Sequence, residues 1–263
     1  MPSPAYDPLN FWNEKATRSG GDPNRAVCHE DPAENQCIDR VQRSMVRAAL
    51  QRISAHPGWK GLRVLDYGCG SGRWAPLFLE RECLYSGVDI SPAMLDLARA
   101  QNPGADFNVV TDNRIPYPTV EFDLVVSIAT IHHNPPDQQE LILDEIARVL
   151  KPAGHLVLFE SVGNPDPNNP VEYARLKQDW IRALAERGMG HVWYRGGRYF
   201  ILCSMADRFL RVLYRGRPRG TKRRPNAILA TDALLDPILG RLLPERYQHR
   251  GVFVFHKLGT ARG

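Results

Sequence analysis

The chain has 263 residues, of which 43% are hydrophobic and 24% are charged. This length and composition are typical of one large α/β domain with an added segment, and they exclude disordered, collagen-like and disulfide-scaffold proteins. No run approaches the roughly 20 apolar residues of a membrane-spanning helix. The first residues lack the basic and apolar regions of a secretory signal, so we expect a cytoplasmic protein.

Charge is distributed unevenly along the chain. Residues 1–160 contain 15 Lys and Arg against 21 Asp and Glu, whereas residues 161–263 contain 19 against 8. A basic C-terminal part predicts an anionic partner, which is a phosphorylated or carboxylated small molecule, a nucleic acid or a membrane surface. A solvated arginine-rich face that offsets the acidic part is the alternative interpretation.

Cysteine content indicates free thiols and no metal site. The five cysteines form no CxxC pair and are odd in number, which favours thiols in a reducing compartment. Cys28, His29 and Cys37 supply three zinc ligand types, but no second pair completes the usual four ligands. The cysteines are Cys28, Cys37, Cys69, Cys83 and Cys203.

The N-terminal segment, residues 1–60, is predicted to form a lid and a helix. Residues 1–34 show little periodicity but contain the aromatic pair Phe11-Trp12. This pair is interpreted either as part of a lid over a binding site or as a contact that fixes the segment to the core. Apolar residues recur near every 3.6 positions over 35–54, which predicts a helix.

Strands and helices then alternate over residues 61–160, the predicted core. Ser91 and Pro92 form a helix start, with Ser91 as the N-cap. This alternation predicts a parallel sheet covered by helices on both faces. The predicted strands are 63–67, 84–88, 106–110, 121–127 and 155–160, and the predicted helices are 74–82, 92–101 and 138–150.

The regular alternation stops after Glu160. Residues 161–250 are predicted to be a basic helical insert, the part of the chain where the anionic partner is expected to bind, and 251–263 hold the last strand and the tail. Within the insert the patterns predict a loop at 163–170, helices at 171–187, 206–214 and 228–243, a strand at 191–202 and a basic loop at 215–225. Its main arginines and lysines are Arg195, Arg198, Arg208, Arg211, Arg215, Arg217, Arg219, Lys222, Arg223 and Arg224.

A glycine-rich turn follows the first core strand, in the motif VLDYGCGSG at 64–72. The dinucleotide fingerprint GxGxxG requires glycine at position 73, where this chain has Arg73, so the motif argues against NAD. Asp66 precedes the first glycine; a carboxylate there repels a pyrophosphate and suits an ammonium group. Asp89 ends the second strand, where a carboxylate accepts hydrogen bonds from a ribose diol.

Together with four further motifs, this segment resembles the class I S-adenosylmethionine (SAM)-dependent methyltransferases. It is most similar to the subgroup of ubiquinone-biosynthesis and natural-product enzymes. The resemblance implies a doubly wound, mostly parallel seven-stranded sheet with an antiparallel last strand. Ala153 departs from the family's usual glycine at that position. The other motifs are GVDIS (87–91), Asp112, FDLVVSIATIHH (122–133) and ARVLKPAGHLVLFE (147–160).

The resemblance implies SAM as cofactor, with S-adenosylhomocysteine as product, and it assigns residues to parts of SAM. Asp89 is expected to hold the ribose hydroxyls and Ile90 to pack against adenine, whose amino group is expected to reach Asp112 and the Asn113 backbone. Near Ser127 and Ile128 the backbone is expected to approach the methionyl ammonium. The residues expected along the methionyl portion are Asp66, Gly68, Cys69 and Gly70.

Methyl transfer needs a base only where the nucleophile must lose a proton. His132 and His133 follow the fourth strand, Glu160 ends the fifth, and all three are candidate catalytic residues. The alternative is that one histidine packs in the core and the other caps the loop. Asn134-Pro135-Pro136-Asp137 is similar to a DNA methyltransferase motif but comes too late after the strand.

The acceptor is expected to be a small molecule such as a sugar, a lipid-linked compound or a natural-product intermediate, methylated on O, N or C. RNA is the alternative favoured by the basic C-terminal part, although no RNA-binding module is recognised. Peripheral contact with an anionic membrane is a third interpretation, through the amphipathic segment 206–214. A SAM-binding protein without catalysis is a fourth. The sequence leaves the oligomeric state open.

Overall fold

The structure is a computed structural model, and it describes residues 6–22, 26, 31–53, 58–164, 169, 171–199, 231–232, 234–236, 238–239, 242 and 248–259. Its helices are α1 (Pro8–Arg18), α2 (Pro32–Leu50), α3 (Ala75–Leu79), α4 (Pro92–Gln101), α5 (Pro136–Val149) and α6 (Lys177–Ala185). Its strands are β1 (Arg63–Tyr67), β2 (Leu84–Asp89), β3 (Asp106–Val109), β4 (Phe122–Ile128), β5 (Leu150–Ser161), β6 (Met189–Gly197) and β7 (Arg250–Lys257).

The strands form one seven-stranded sheet in the order β3-β2-β1-β4-β5-β7-β6. Neighbouring strands are parallel from β3 to β5, and β7 is antiparallel to both β5 and β6. The predicted doubly wound, mostly parallel sheet with an antiparallel last strand is therefore confirmed. Strands β1 to β3 are added towards one edge of the sheet and β4 and β5 towards the other, so the strand order reverses between β1 and β4. Open α/β sheets bind their ligands at such a reversal point.

Alternate residues of each strand face opposite layers of helices, as the two-residue period of a strand requires. Val64 packs with α2, α3 and α4, whereas Leu65 packs with α5 and α6. The same alternation continues in β7, where Val254 belongs to the first layer and Phe255 to the second. Both faces of the sheet are therefore covered, which explains the almost continuous apolar sequence of its central strands.

Several predicted elements have different bounds in the structure. α1 lies in the segment expected to lack periodicity, and only Ala16 of this helix is buried. α6 begins at Lys177 rather than at 171, because Val171 accepts a hydrogen bond from His133 and Arg175 pairs with Val162. The predicted N-cap is confirmed: the Ser91 hydroxyl accepts a hydrogen bond from the Met94 N–H at 3.1 Å.

Some predictions lie outside the described residues. These include Cys28, His29, Cys203, the basic helix at 206–214 and the basic loop at 215–225. Of the predicted helix at 228–243, the described residues are helical. No group of His, Cys, Asp and Glu within the described part of the chain has the arrangement of a metal site. None of the helices described is both long and apolar enough to cross a membrane.

The glycine turn after β1 passes very close to the loop after β4. Gly68 has a φ of +73°, and a Cβ at this position would lie 2.0 Å from Thr130 Cγ2. The Thr130 hydroxyl donates a hydrogen bond to the Gly68 carbonyl at 3.3 Å. Only glycine satisfies both the left-handed backbone and this contact.

Asp66 is a carboxylate buried inside the sheet. Its side chain is 1% exposed and accepts a hydrogen bond from the Tyr85 hydroxyl at 2.8 Å. Burial raises the pKa of Asp66 to about 7, and the bond from Tyr85 opposes this rise. A carboxyl group in this position holds its proton more strongly in the folded chain than in the unfolded chain.

We expect Gly68→Ala to lower the free energy of unfolding by about 2–4 kcal/mol, because the new methyl group adds steric overlap to a strained backbone. Urea denaturation measures this change. Gly104→Ala is the control, since nothing lies within 4 Å of a Cβ there and its φ is not positive. Equal stability of the two variants would contradict the close approach of the two loops.

Asp66→Asn tests the protonation of the buried carboxyl. Between pH 3.8 and about 7 the unfolded chain releases this proton and the folded chain retains it. The wild type therefore loses stability across this window as pH rises. We expect Asp66→Asn, which does not titrate, to gain stability relative to the wild type from pH 4 to pH 8 in urea denaturation. The exposed Asp96→Asn is the control; a difference independent of pH for Asp66→Asn would refute the assignment.

Candidate functional site

Asp89 fixes the glycine turn from the end of β2. Its carboxylate accepts hydrogen bonds from the N–H groups of Gly70 and Ser91, both at 2.9 Å. Burial raises the pKa of the Asp89 carboxyl, and these two bonds oppose the rise. A carboxylate offers about four lone-pair positions. Asp89 therefore holds the turn and keeps acceptor capacity for a ligand hydroxyl.

Glu160 fixes the loop after β4 from the end of β5. It is fully buried and accepts hydrogen bonds from the N–H groups of Thr130, Ile131 and His132 at 3.3, 3.0 and 3.1 Å. It also accepts a hydrogen bond from the Ser127 hydroxyl and contacts the His132 ring. With this number of donors, the geometry favours Glu160 as a residue that positions the loop.

His132 and His133 lie next to each other in a short 3₁₀ turn, Ile131–His133, but differ in their surroundings. His132 is buried against Glu160. Burial and then the neighbouring His133 lower the pKa of His132 to about 4, although Glu160 acts in the opposite direction. Nδ1 of His133 lies 2.7 Å from the carbonyl oxygen of Val171. Since a carbonyl only accepts, Nδ1 carries the proton, and Nε2 of a neutral His133 carries the lone pair.

A cavity of about 420 Å³ lies between these two loops. Its volume falls within the range of roughly 300–1,000 Å³ that is usual for small-ligand sites. Eight of the predicted site residues line it. They are Gly68, Cys69, Gly70, Asp89, Ile90, Ile128, His132 and His133.

The other five predicted site residues do not line the cavity. Asp66 lies in the core beside Tyr85, and Ser127 and Glu160 are buried behind the loop that they support. Asp112 and Asn113 form a tight turn between Thr111 and Arg114, with φ values of +52° and +58°.

α1 covers one side of the cavity. Trp12 lines it and contacts the His133 ring edge to face, with the ring centroids 5.6 Å apart. Phe11 packs against Trp12 from outside, and the Asn13 side chain accepts a hydrogen bond from the Ser91 hydroxyl at 2.7 Å. Trp12 is therefore the α1 residue of the aromatic pair that faces the cavity, and the lid stays a prediction beside the alternative of a contact that fixes the segment to the core.

Sequence reasoning missed a polar cluster at the far end of the cavity. Arg250 pairs with Glu172 at 2.5 Å and lies over the Tyr199 ring, whose hydroxyl accepts a hydrogen bond from Gln42. Burial would raise the pKa of Glu172, but Arg250 lowers it to about 2, so Glu172 is ionised at neutral pH. These residues belong to α2, β7 and the segments beside β5 and β6, and no local motif links them.

Comparisons with known proteins agree with this geometry. Residues 64–154 match the family model of a methyltransferase domain. The 27-O-demethylrifamycin SV methyltransferase of Amycolatopsis mediterranei is 32% identical over 164 residues, which cover 60% of this chain and 55% of that protein. The chain thus spans about half the length of the curated relatives that it matches first.

Solved structures at low identity show the same fold. The putative methyltransferase in a complex with the Trm112 activator of Haloferax volcanii has a TM-score of 0.63 at 16% identity, covering 98% of this chain and 100% of that one. The magnesium protoporphyrin IX methyltransferase of Synechocystis PCC 6803, solved with bound SAM, has a TM-score of 0.60 at 14% identity, covering 97% and 99%. These structures show that the chain has the fold of the two methyltransferases, and residues 64–154 match a methyltransferase domain.

Proposed function

We propose that the chain transfers a methyl group from SAM to a hydroxyl oxygen of a small acceptor. The observation that carries the proposal is the cavity at the reversal point of the sheet, with bare glycine backbone on one wall and the Asp89 carboxylate beside it. The name of the Amycolatopsis relative, 27-O-demethylrifamycin SV methyltransferase, supports oxygen as the attacking atom.

The residues on the cavity wall fit SAM. The contact with Thr130 leaves no room for a Cβ at Gly68, so the turn presents bare backbone to the cavity. Asp89 retains acceptor capacity for the ribose hydroxyls, and Ile90 and Met94 supply apolar surface for adenine. The roles proposed for Asp112 and Asn113 remain predictions, because these residues lie beyond the cavity wall.

When bound, SAM supplies an activated methyl group on a sulfonium. The chain then has to align the acceptor, exclude water and accept a proton. Trp12 covers the cavity, and Nε2 of His133 carries the lone pair that takes the hydroxyl proton. The Val171 carbonyl holds the His133 ring in this tautomer.

The charge of the acceptor stays a prediction. Among the described residues, the arginines that line the cavity are Arg73 and Arg250. Arg73 is paired with Asp39 at 2.7 Å, and Arg250 is paired with Glu172. Eight of the ten main basic residues of the insert lie outside the described residues, so an anionic small molecule, RNA and a membrane-bound acceptor stay the three predicted alternatives.

Isothermal titration calorimetry with SAM tests the cofactor site. We expect Asp89→Asn to raise the Kd for SAM by about ten-fold or more, since a charged acceptor for the ribose is lost. Asp96→Asn, the same change on the exposed face of α4, is expected to leave the Kd unchanged. Urea denaturation of both variants separates the lost contact from a disturbed turn. Unchanged affinity in Asp89→Asn would refute the assignment.

Transfer of tritium from methyl-labelled SAM to a panel of phenols, hydroxy acids and sugars tests the base. We expect His133→Gln to lower the rate about 100-fold with an unchanged Kd for SAM, because glutamine can still donate to Val171 but cannot take the proton. His191→Gln, on an exposed position of β6, is the control. Labelling of RNA or of nitrogen acceptors alone, or an undiminished rate in His133→Gln, would argue against the proposal.

A further inference from the structure

A second hollow, which we call the α2 groove, lies between α2, the end of the glycine turn and the C-terminal end of α4. Four arginines line it, Arg40, Arg43, Arg47 and Arg73, and among the described residues Asp39 is the only carboxylate on its wall. Positions 40, 43 and 47 share one face of α2 and span about 10 Å along the helix.

Two of these arginines are held in place. Arg43 and Arg73 both pair with Asp39, at 2.6 and 2.7 Å, and both guanidinium groups lie over the Trp74 ring, with centroid distances of 5.0 and 4.8 Å. These two side chains therefore lose little conformational entropy when a ligand binds them. Asp39 neutralises at most one of the two charges.

The other two arginines face solvent. Arg40 and Arg47 are exposed, and no ion pair in the described part of the chain involves either of them. The groove thus presents two fixed and two adjustable guanidinium groups, in a wall otherwise rich in neutral amides. These amides belong to Asn35, Gln36, Gln51, Gln101 and Asn102.

This composition matches phosphate recognition. The guanidinium fork binds two oxygens of one phosphate, and the exposed amides of Gln36, Gln51 and Gln101 add donors without adding negative charge. The Asn102 amide already donates to two backbone carbonyls. A run of about 10 Å along α2 is longer than one phosphate group requires. The site therefore suits two linked phosphates.

The α2 groove adjoins the cavity, because Ile38 and Arg73 line both. Arg73 also bonds to Gln42 on the cavity side and to Asp39 on the groove side. We propose that the α2 groove binds the diphosphate group of the acceptor while the acceptor's hydroxyl end enters the cavity. This inference rests on the proposed function and gives its acceptor a chemical class, a diphosphate ester.

Such an ester is linked either to a nucleoside or to a lipid, and binding experiments separate the two. Inorganic pyrophosphate and UDP are titrated into the full chain saturated with S-adenosylhomocysteine. Both are expected to bind, with an affinity that falls as salt increases. Tighter binding of UDP supports a nucleotide-linked acceptor, whereas equal affinity for the two probes supports a lipid diphosphate.

The variant Arg40→Gln/Arg47→Gln is expected to weaken pyrophosphate binding by about ten-fold or more, because it removes two charged donors. Arg18→Gln/Arg182→Gln removes the same charge from exposed positions on α1 and α6 and is the matched control. Both double variants are expected to bind SAM like the wild type. A wild type that binds pyrophosphate but not SAM would refute the proposed function and, with it, the assignment of the groove to a methyl acceptor, whereas a wild type that binds SAM but not pyrophosphate would refute the groove alone.

Three results would overturn the inference. The first is a wild type that binds neither pyrophosphate nor UDP at millimolar concentration. The second is equal weakening in both double variants, which would show an effect of net charge. The third is a wild type that co-sediments with phosphatidylglycerol vesicles and an Arg40→Gln/Arg47→Gln variant that does not, although the variant binds pyrophosphate and UDP as the wild type does. That result would make the groove a membrane contact.

Discussion

Two carboxylates hold the backbone on which the cavity depends. β1 and β4 are neighbours at the centre of the sheet. Each is followed by a loop whose N–H groups donate to a carboxylate instead of to a neighbouring strand. Asp89 accepts N–H groups of Gly70 and Ser91 on one side, and Glu160 accepts those of 130–132 on the other. A buried N–H without an acceptor costs about 1–3 kcal/mol. Each loop therefore adopts the shape in which its N–H groups reach the carboxylate.

This arrangement separates residues that position the site from residues that face it. Glu160 and His132 form a buried pair behind the loop, and their geometry favours a positioning role. His133 projects one ring nitrogen towards the Val171 carbonyl and lies beneath Trp12. The two adjacent histidines, which look equivalent in the sequence, therefore differ because the 3₁₀ turn directs their side chains to different neighbours.

The sequence predicted the sheet, most of its helices and eight of the residues on the cavity wall, because these depend on local periodicity and on the three motifs at 64–72, 87–91 and 122–133. It missed α1, whose pattern is weak because only one residue is buried. It also missed the Glu172–Arg250 pair, whose partners are 78 residues apart and meet only when β7 enters the sheet beside β5. Ala153 shows the same limit: its φ of +63° explains the family's glycine, but a backbone angle cannot be read from a single residue.

The distribution of charge along the chain also differs from its distribution in space. The acidic part, residues 1–160, contains the α2 groove with its four arginines, because their spacing places three of them on one helix face and the turn after β1 adds Arg73. Within the cavity, by contrast, the described charges are paired or hydrogen-bonded: Arg73 with Asp39, Arg250 with Glu172. Coulomb interactions between exposed groups are largely screened beyond about 10 Å. An anionic ligand therefore responds to the few guanidinium groups that surround it, and net charge summed over a segment of chain is a poor guide to where it binds.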